Sequence, residues 1–186
     1  MTIDEFIADA TRRMDKSVES AQHEFNTLRT GRASSALLDR IQVDYYGTKT
    51  PLNQLATINV PEPRLLTVQP FDPSSLSSIE RTIQESDLGL TPSNDGKIIR
   101  LPIPQLTEER RKELVKVARQ MAEEGRVAVR NVRRDVMHHL KELVDKGEVG
   151  SDEEHRAEER VQKLTDDHTH KIDDLLKRKE DEILEV

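Results

Sequence analysis

Apolar residues from Ile3 to Leu28 recur at a helical interval. Ile3, Phe6, Ile7, Ala10, Met14, Val18, Ala21, Phe25 and Leu28 step by three and four, which gathers them on one face of a helix of about seven turns. Thr2 with Glu5 three residues on is a capping-box pattern, so the helix is expected to begin where the chain begins, without a signal peptide. The same period returns late in the chain. Leu114, Ala118, Met121, Gly125, Ala128, Val132, Val136, Leu140 and Leu143 predict the inner seam of a second long helix, capped by Thr107 and closed by Gly147 and Gly150. Ser151 and Glu154 form another capping-box pattern before a third helix, whose seam is Ala157, Val161, Leu164, His168, Ile172, Leu175 and Leu184. The connection between the second and third helices is about five residues, so the two run antiparallel. Gly125 falls in the inner seam, where we assign it to close helix packing rather than to a flexible joint.

Between these helices the pattern changes. All eight prolines lie between positions 51 and 104, and proline removes a donor and clashes with the preceding turn of a helix. Ile41, Val43 and Tyr45 alternate and end at Gly47; Leu52 to Val60, Leu65 to Gln69 and Ile98 to Leu101 are further strand candidates. Asp72-Pro73 reads as a helix start and Gly89 as its stop. The expected fold is therefore α+β: an elongated three-helix bundle (1–30 and 106–186) with an inserted small β/α/β domain (31–105). Because the insert leaves after one helix and returns before the next, two chain crossings join the parts. That double linker is expected to act as a hinge, with Thr30-Gly31 on one side and Pro102-Ile103-Pro104 on the other.

Composition narrows the function classes. The chain is 186 residues, 34% hydrophobic and 3% aromatic, without Cys, so disulfide scaffolds and thiolate metal sites are excluded. No apolar run approaches the roughly 20 residues of a bilayer span, and a soluble protein is expected. The formal net charge of -7 disfavours a polyanion, yet residues 110–134 hold nine Lys or Arg against three acids, whereas 135–186 hold nine bases and seventeen acids. Lys112, Lys116, Arg119, Arg126, Arg130 and Arg133 follow spacings of three, four and seven, which predicts a stripe turned away from the apolar seam. Two readings stay open on the residues alone. Such a face is commonly solvated and partly paired, here to the acidic third helix. Against that, Arg outnumbers Lys seven to two within 110–134, and guanidinium is the better fork for phosphate. Aromatics are too few for single-strand stacking, so recognition would be of folded RNA shape and backbone.

Other chemistry is not visible. No phosphate-loop, dinucleotide or nucleophile-elbow motif occurs. His138-His139 and His168-Thr169-His170 lie at spacings that point apart on a helix, and Glu123-Glu124 and Asp173-Asp174 sit on charged faces without apolar walls to shift them. No metal, cofactor or catalytic residue is expected. A helical adaptor or holdase that binds proteins through the seam and the acidic third helix remains the rival class.

The motifs together bring a family into view. Arg29-Thr30-Gly31-Arg32-Ala33-Ser34, Tyr45-Tyr46-Gly47-Thr48, Ser86-Asp87-Leu88-Gly89-Leu90, Leu106-Thr107-Glu108-Glu109-Arg110-Arg111-Lys112 and Val129-Arg130-Asn131-Val132-Arg133-Arg134-Asp135 resemble ribosome recycling factor along the whole chain. The resemblance implies an L-shaped molecule of tRNA-like proportions. It further implies a monomer that binds the large-subunit rRNA of the post-termination ribosome and, with elongation factor G and GTP, splits it into subunits for reuse. By the same resemblance Arg111, Arg130 and Arg133 match the family's ribosome-contacting arginines, and Arg29, Gly31 and Arg32 its hinge; Arg119 and Arg126 are added from the stripe spacing.

Overall fold

The computed structural model describes residues 1–185; Val186, the last residue of the expected bundle segment, lies outside them. In chain order the elements are α1 (Ile3–Asn26), β1 (Gln42–Tyr45), β2 (Thr48–Pro51), α2 (Leu52–Leu55), β3 (Ala56–Glu62), β4 (Leu65–Pro70), α3 (Leu76–Glu85), β5 (Ser93–Asn94), β6 (Ile99–Pro102), α4 (Glu108–Asp145) and α5 (Ser151–Leu184). Short 3-10 turns occupy Ser35–Leu38 and Pro73–Ser75. The chain forms two compact units, one of Arg29–Glu108 and one of Met1–Leu28 with the chain from Glu109 onward.

In the helical unit α1 starts as its sequence predicts. The Thr2 hydroxyl accepts from the Glu5 N–H at 3.2 Å while the Thr2 N–H donates to the Glu5 carboxylate at 2.8 Å, and this satisfies two donors that a helix start leaves orphaned. Contacts between helices give their directions. Phe6 stacks on His139 at 5.3 Å between centroids and Arg13 donates to Asp135 at 2.6 Å, so α1 and α4 are antiparallel. Arg160 reaches Asp4 at 3.1 Å and His168 reaches Asp15 at 2.7 Å, so α1 and α5 are parallel. The Arg13 guanidinium holds the Asp135 carboxyl below its ordinary range, and Asp135 in turn raises Arg13.

The seams differ from expectation in detail. Ala122 and Val129 are buried on α4, whereas Met121 and Ala128 are only half-buried, because the buried row advances by four, not three, after Ala118. On α5 Ala157, Val161, His168 and Ile172 are buried as expected and Thr165 and Ile183 join them, whereas Leu164 and Leu175 are half-buried and Leu184 is exposed. Ser151 is not a cap: Gly150 is the N-cap, without a side-chain hydrogen bond, and its carbonyl accepts from the Glu154 N–H at 3.1 Å. The Glu154 carboxyl faces Glu158 instead, and that hydrogen bond pushes it up. His168 is the buried polar intrusion that its place in the seam predicts, with Nδ1 2.6 Å from the Leu164 carbonyl.

The second unit is built on an antiparallel sheet of order β3-β4-β6-β5, beside a separate β1-β2 hairpin. Alternation on β6 buries Ile99 and Leu101, and α3 covers the sheet with Leu76, Ile79 and Ile83, spaced for one helix face. Asp72 caps the turn into α3 by accepting from the Ser74 N–H at 3.0 Å, and its other oxygen accepts from the Tyr45 hydroxyl at 2.9 Å. These bonds, that of the Ser74 hydroxyl foremost, hold the Asp72 carboxyl low. The strand expected from Leu52 is a correction: Pro51 precedes a single helical turn, α2, that buries Leu52 and Leu55, and extension begins at Ala56.

The helices close in tightly at Gly125. A Cβ placed there would stand 3.1 Å from Ile172 Cδ1 and 3.2 Å from the Ala21 Cβ, so α4 presents bare backbone to both neighbours. Gly125→Ala gains about 1 kcal/mol of helix propensity that the squeeze offsets. Gly125→Val is expected to lower the unfolding free energy by about 1–3 kcal/mol in urea titration, the range for overpacked cores.

Candidate nucleic-acid interface

α4 carries its cations on the flank of the buried row and outward from it. Arg119, Arg126 and Arg133 recur every seven residues, which keeps them beside α5. Arg119 Nε donates to Glu180 at 2.9 Å, Arg126 Nη1 to Asp173 at 2.6 Å, and Arg133 Nη1 to the Gln162 side-chain oxygen at 3.2 Å. The partners descend along α5 as the arginines ascend α4, as antiparallel helices require. Gln162 passes the line on by donating to Asp166 at 2.9 Å. Part of the stripe thus pairs with the acidic helix, the commoner use of such a face.

Glu123 ties two arginines within α4 itself. Its Oε1 accepts from Arg130 Nη2 at 2.5 Å and its Oε2 from Arg126 Nε at 3.1 Å. These two bonds, that from Arg130 first, hold the Glu123 carboxyl below its ordinary range. Exposure decides how firmly the pairs hold. The Arg126 side chain is 22% exposed, Arg130 36% and Arg119 65%, and exposed ion pairs contribute about 0–1 kcal/mol each. An anion of higher charge density can therefore take these guanidiniums over at small expense. Lys116 and Arg134 lie exposed on the outer side of α4. Arg111 is half-buried near the helix start, and its Nε is enclosed without a hydrogen-bond partner.

The residues expected to form a hinge are placed within the sheet-bearing unit. Arg29 Nη1 donates to the Leu88 carbonyl at 2.8 Å, Thr30 is buried, and Gly31 has φ +79°. A side chain there would be strained by the backbone alone, and its Cβ would sit 3.3 Å from Leu106 Cγ. Arg32 and Pro104 are exposed, whereas Pro102 ends β6 in register with Leu65. Both crossings are laced to the turn between β3 and β4: the Ala33 N–H donates to the Pro63 carbonyl and the Ile103 N–H to the Arg64 carbonyl, each at 2.7 Å.

Among the described residues no group of three or more His, Asp or Glu is arranged to hold a metal ion. His138 and His170 lie beside Glu142 and Asp174 one turn along their own helices, at 3.0 and 3.6 Å. No helix among the described residues is long and apolar enough to cross a membrane.

The family model for ribosome recycling factor matches residues 21–184. The chain belongs to the ribosome recycling factor family. The ribosome-recycling factor of Rubrobacter xylanophilus is 58% identical over 180 residues, covering 97% of each chain. That of Thermosynechococcus vestitus is 56% identical, covering 97% of this chain and 99% of the relative. A solution structure of the ribosome recycling factor matches with a TM-score of 0.79 at 43% identity over 100% of this chain and 99% of the other. A second structure describes the T. thermophilus ribosome recycling factor and E. coli elongation factor G bound to the E. coli post-termination complex; its factor matches with a TM-score of 0.68 at 50% identity, covering 99% and 100%. Ribosome recycling factors are translation factors, and this chain shares their α+β architecture.

Sequence reasoning read Glu123 only as one of a solvated acidic pair with Glu124, although its spacing of three and seven to Arg126 and Arg130 was a readable signal for pairing with them. The contacts of Arg119 and Arg126 with α5 had no such signal, because they depend on the register between two helices.

Proposed function

We propose that this chain, together with elongation factor G and GTP, splits the post-termination ribosome into subunits. The observation that carries the reading is near full-length identity of 53% to 58% with ribosome-recycling factors. It is supported by the structural relative, which is described together with elongation factor G as bound to a post-termination complex. The chain acts as a monomer in the cytoplasm, has no catalytic activity or cofactor of its own, and leaves GTP hydrolysis to its partner.

In this reading α4 anchors the helical unit on large-subunit rRNA through Arg111, Arg119, Arg126, Arg130 and Arg133. The excess of arginine over lysine and the weak hold of exposed ion pairs support that role. The GTPase pushes the sheet-bearing unit about a pivot of Arg29, Thr30, Gly31 and Arg32 on one crossing and Pro104 on the other. Pro102, fixed in β6, marks the edge of that pivot. Helix α4 then acts as the lever, roughly 55 Å long at about 1.5 Å per residue.

Incubating purified post-termination complexes with this chain, elongation factor G and GTP is expected to release subunits, and omitting any one component to abolish release; release without this chain would overturn the proposal. Arg130→Ala and Arg133→Ala are each expected to weaken ribosome binding by about 1–3 kcal/mol and to flatten its salt dependence; unchanged affinity and slope in both would remove α4 as the RNA surface. Gly31→Pro is unsuitable as a stiffened hinge, since proline fixes φ near −65° where this backbone has +79°. Pro104→Gly, which loosens the exposed crossing, is expected to slow splitting while binding stays within about twofold; equal loss of both would assign Pro104 a structural role.

A further inference from the structure

Three acids lie among the cations of residues 110–134, and two face away from the arginine line. Glu113 pairs with Arg110 at 2.9 Å, and Glu124 accepts from Gln120 at 3.4 Å. Glu123 alone of the three holds stripe arginines, and it holds two. Its carboxylate spans Arg130 Nη2 and Arg126 Nε, while the other edge of Arg126 is taken by Asp173. The four formal charges cancel, so this group at the centre of α4 carries no net charge in the free protein. Their acids are half open to water, Glu123 at 47% and Asp173 at 54% of side-chain exposure. A phosphate can thus reach the same donors from solvent, but it arrives beside a carboxylate already in place.

We propose that Glu123 stands in for an RNA phosphate in the free chain and, by competing for Arg126 and Arg130, sets how tightly α4 binds RNA. The inference rests on the RNA-binding reading of α4 and adds a residue that opposes it. The physical reason is direct. A tight guanidinium–phosphate contact would hold a recycling factor on the subunit it has released. A carboxylate within reach of both arginines gives them a partner to return to, and this favours departure. Two unit charges of like sign about 4 Å apart in water correspond to roughly fivefold in affinity, which is the size of the brake expected here.

The test is binding of the full chain to purified large ribosomal subunits across a salt series, comparing wild type, Glu123→Gln, Asp173→Asn and Arg130→Ala, with thermal unfolding to confirm that each variant folds. Glu123→Gln keeps an oxygen acceptor for the arginines but removes the charge. It is expected to bind about fivefold tighter at low salt, with a log–log salt slope steeper by up to about 0.9. Asp173→Asn is expected to shift both in the same direction by less, because it engages Arg126 alone. Weaker or unchanged binding by Glu123→Gln, with Arg130→Ala weakened, would overturn the inference while leaving the RNA-binding reading intact. If Arg130→Ala binds as wild type does, the RNA-binding reading itself falls, and this inference falls with it.

Discussion

The spacing of the bundle is set where α4 has no side chain. Gly125 meets Ile172 of α5 and Ala21 of α1 at distances that leave no space for even a methyl group without adjustment, and small residues continue the approach at Ala10, Ala118, Ala122 and Ala157, all buried. Close helices bring more than their seams together. With α5 drawn in at Gly125, side chains one row out from the seam come within hydrogen-bond reach, and on α4 that row is arginine. The pairing of Arg119 with Glu180 and of Arg126 with Asp173 is therefore a consequence of the apolar packing. The bundle supplies the scaffold, and the charged ladder follows its register.

α4 consequently does two things with one helix. Its inner row is buried against α1 and α5, where a single added methyl is felt at Gly125, while its flank holds guanidiniums in partly exposed pairs that contribute little to stability. The division lets the surface chemistry change without unsettling the fold. It also gives the net charge of -7 a local meaning: the acids of α5 screen the cations of α4 in the free chain, so the overall figure describes solubility better than it describes the surface of any one helix.

Much of this was legible in the residues. The confinement of proline to positions 51–104 separated the two kinds of structure, because proline is excluded from helix interiors, and the capping box at Thr2 and Glu5 placed the first helix start to the residue. Periodicity located the seams but slipped by one position at Ala122 and Val129, since neighbouring apolar residues such as Met121 satisfy the same interval. The helical turn at Leu52–Leu55 was misread as strand because a short apolar run fits either form. Gly150 took the cap expected of Ser151 through a backbone carbonyl, which leaves no side-chain signature. What sequence could not carry was pairing across elements: the reach of Arg126 to Asp173, or of Ala33 to the Pro63 carbonyl, exists only once the chain is folded.

In the function proposed for this chain, the outer side of α4 faces large-subunit RNA. The absence of cysteine allows one thiol to be introduced without background, and Val127, 40% exposed on the outer side of α4 between Glu123 and Arg130, is the position to use. An iron chelate that generates hydroxyl radicals, attached at Val127→Cys and separately at Ser20→Cys on the exposed side of α1, would be bound to post-termination ribosomes and the RNA cuts mapped. The account predicts cuts in large-subunit rRNA from position 127 that are strong and confined to one neighbourhood, with cuts from position 20 absent there. Strong cutting of that RNA from position 20 with none from position 127 would contradict it.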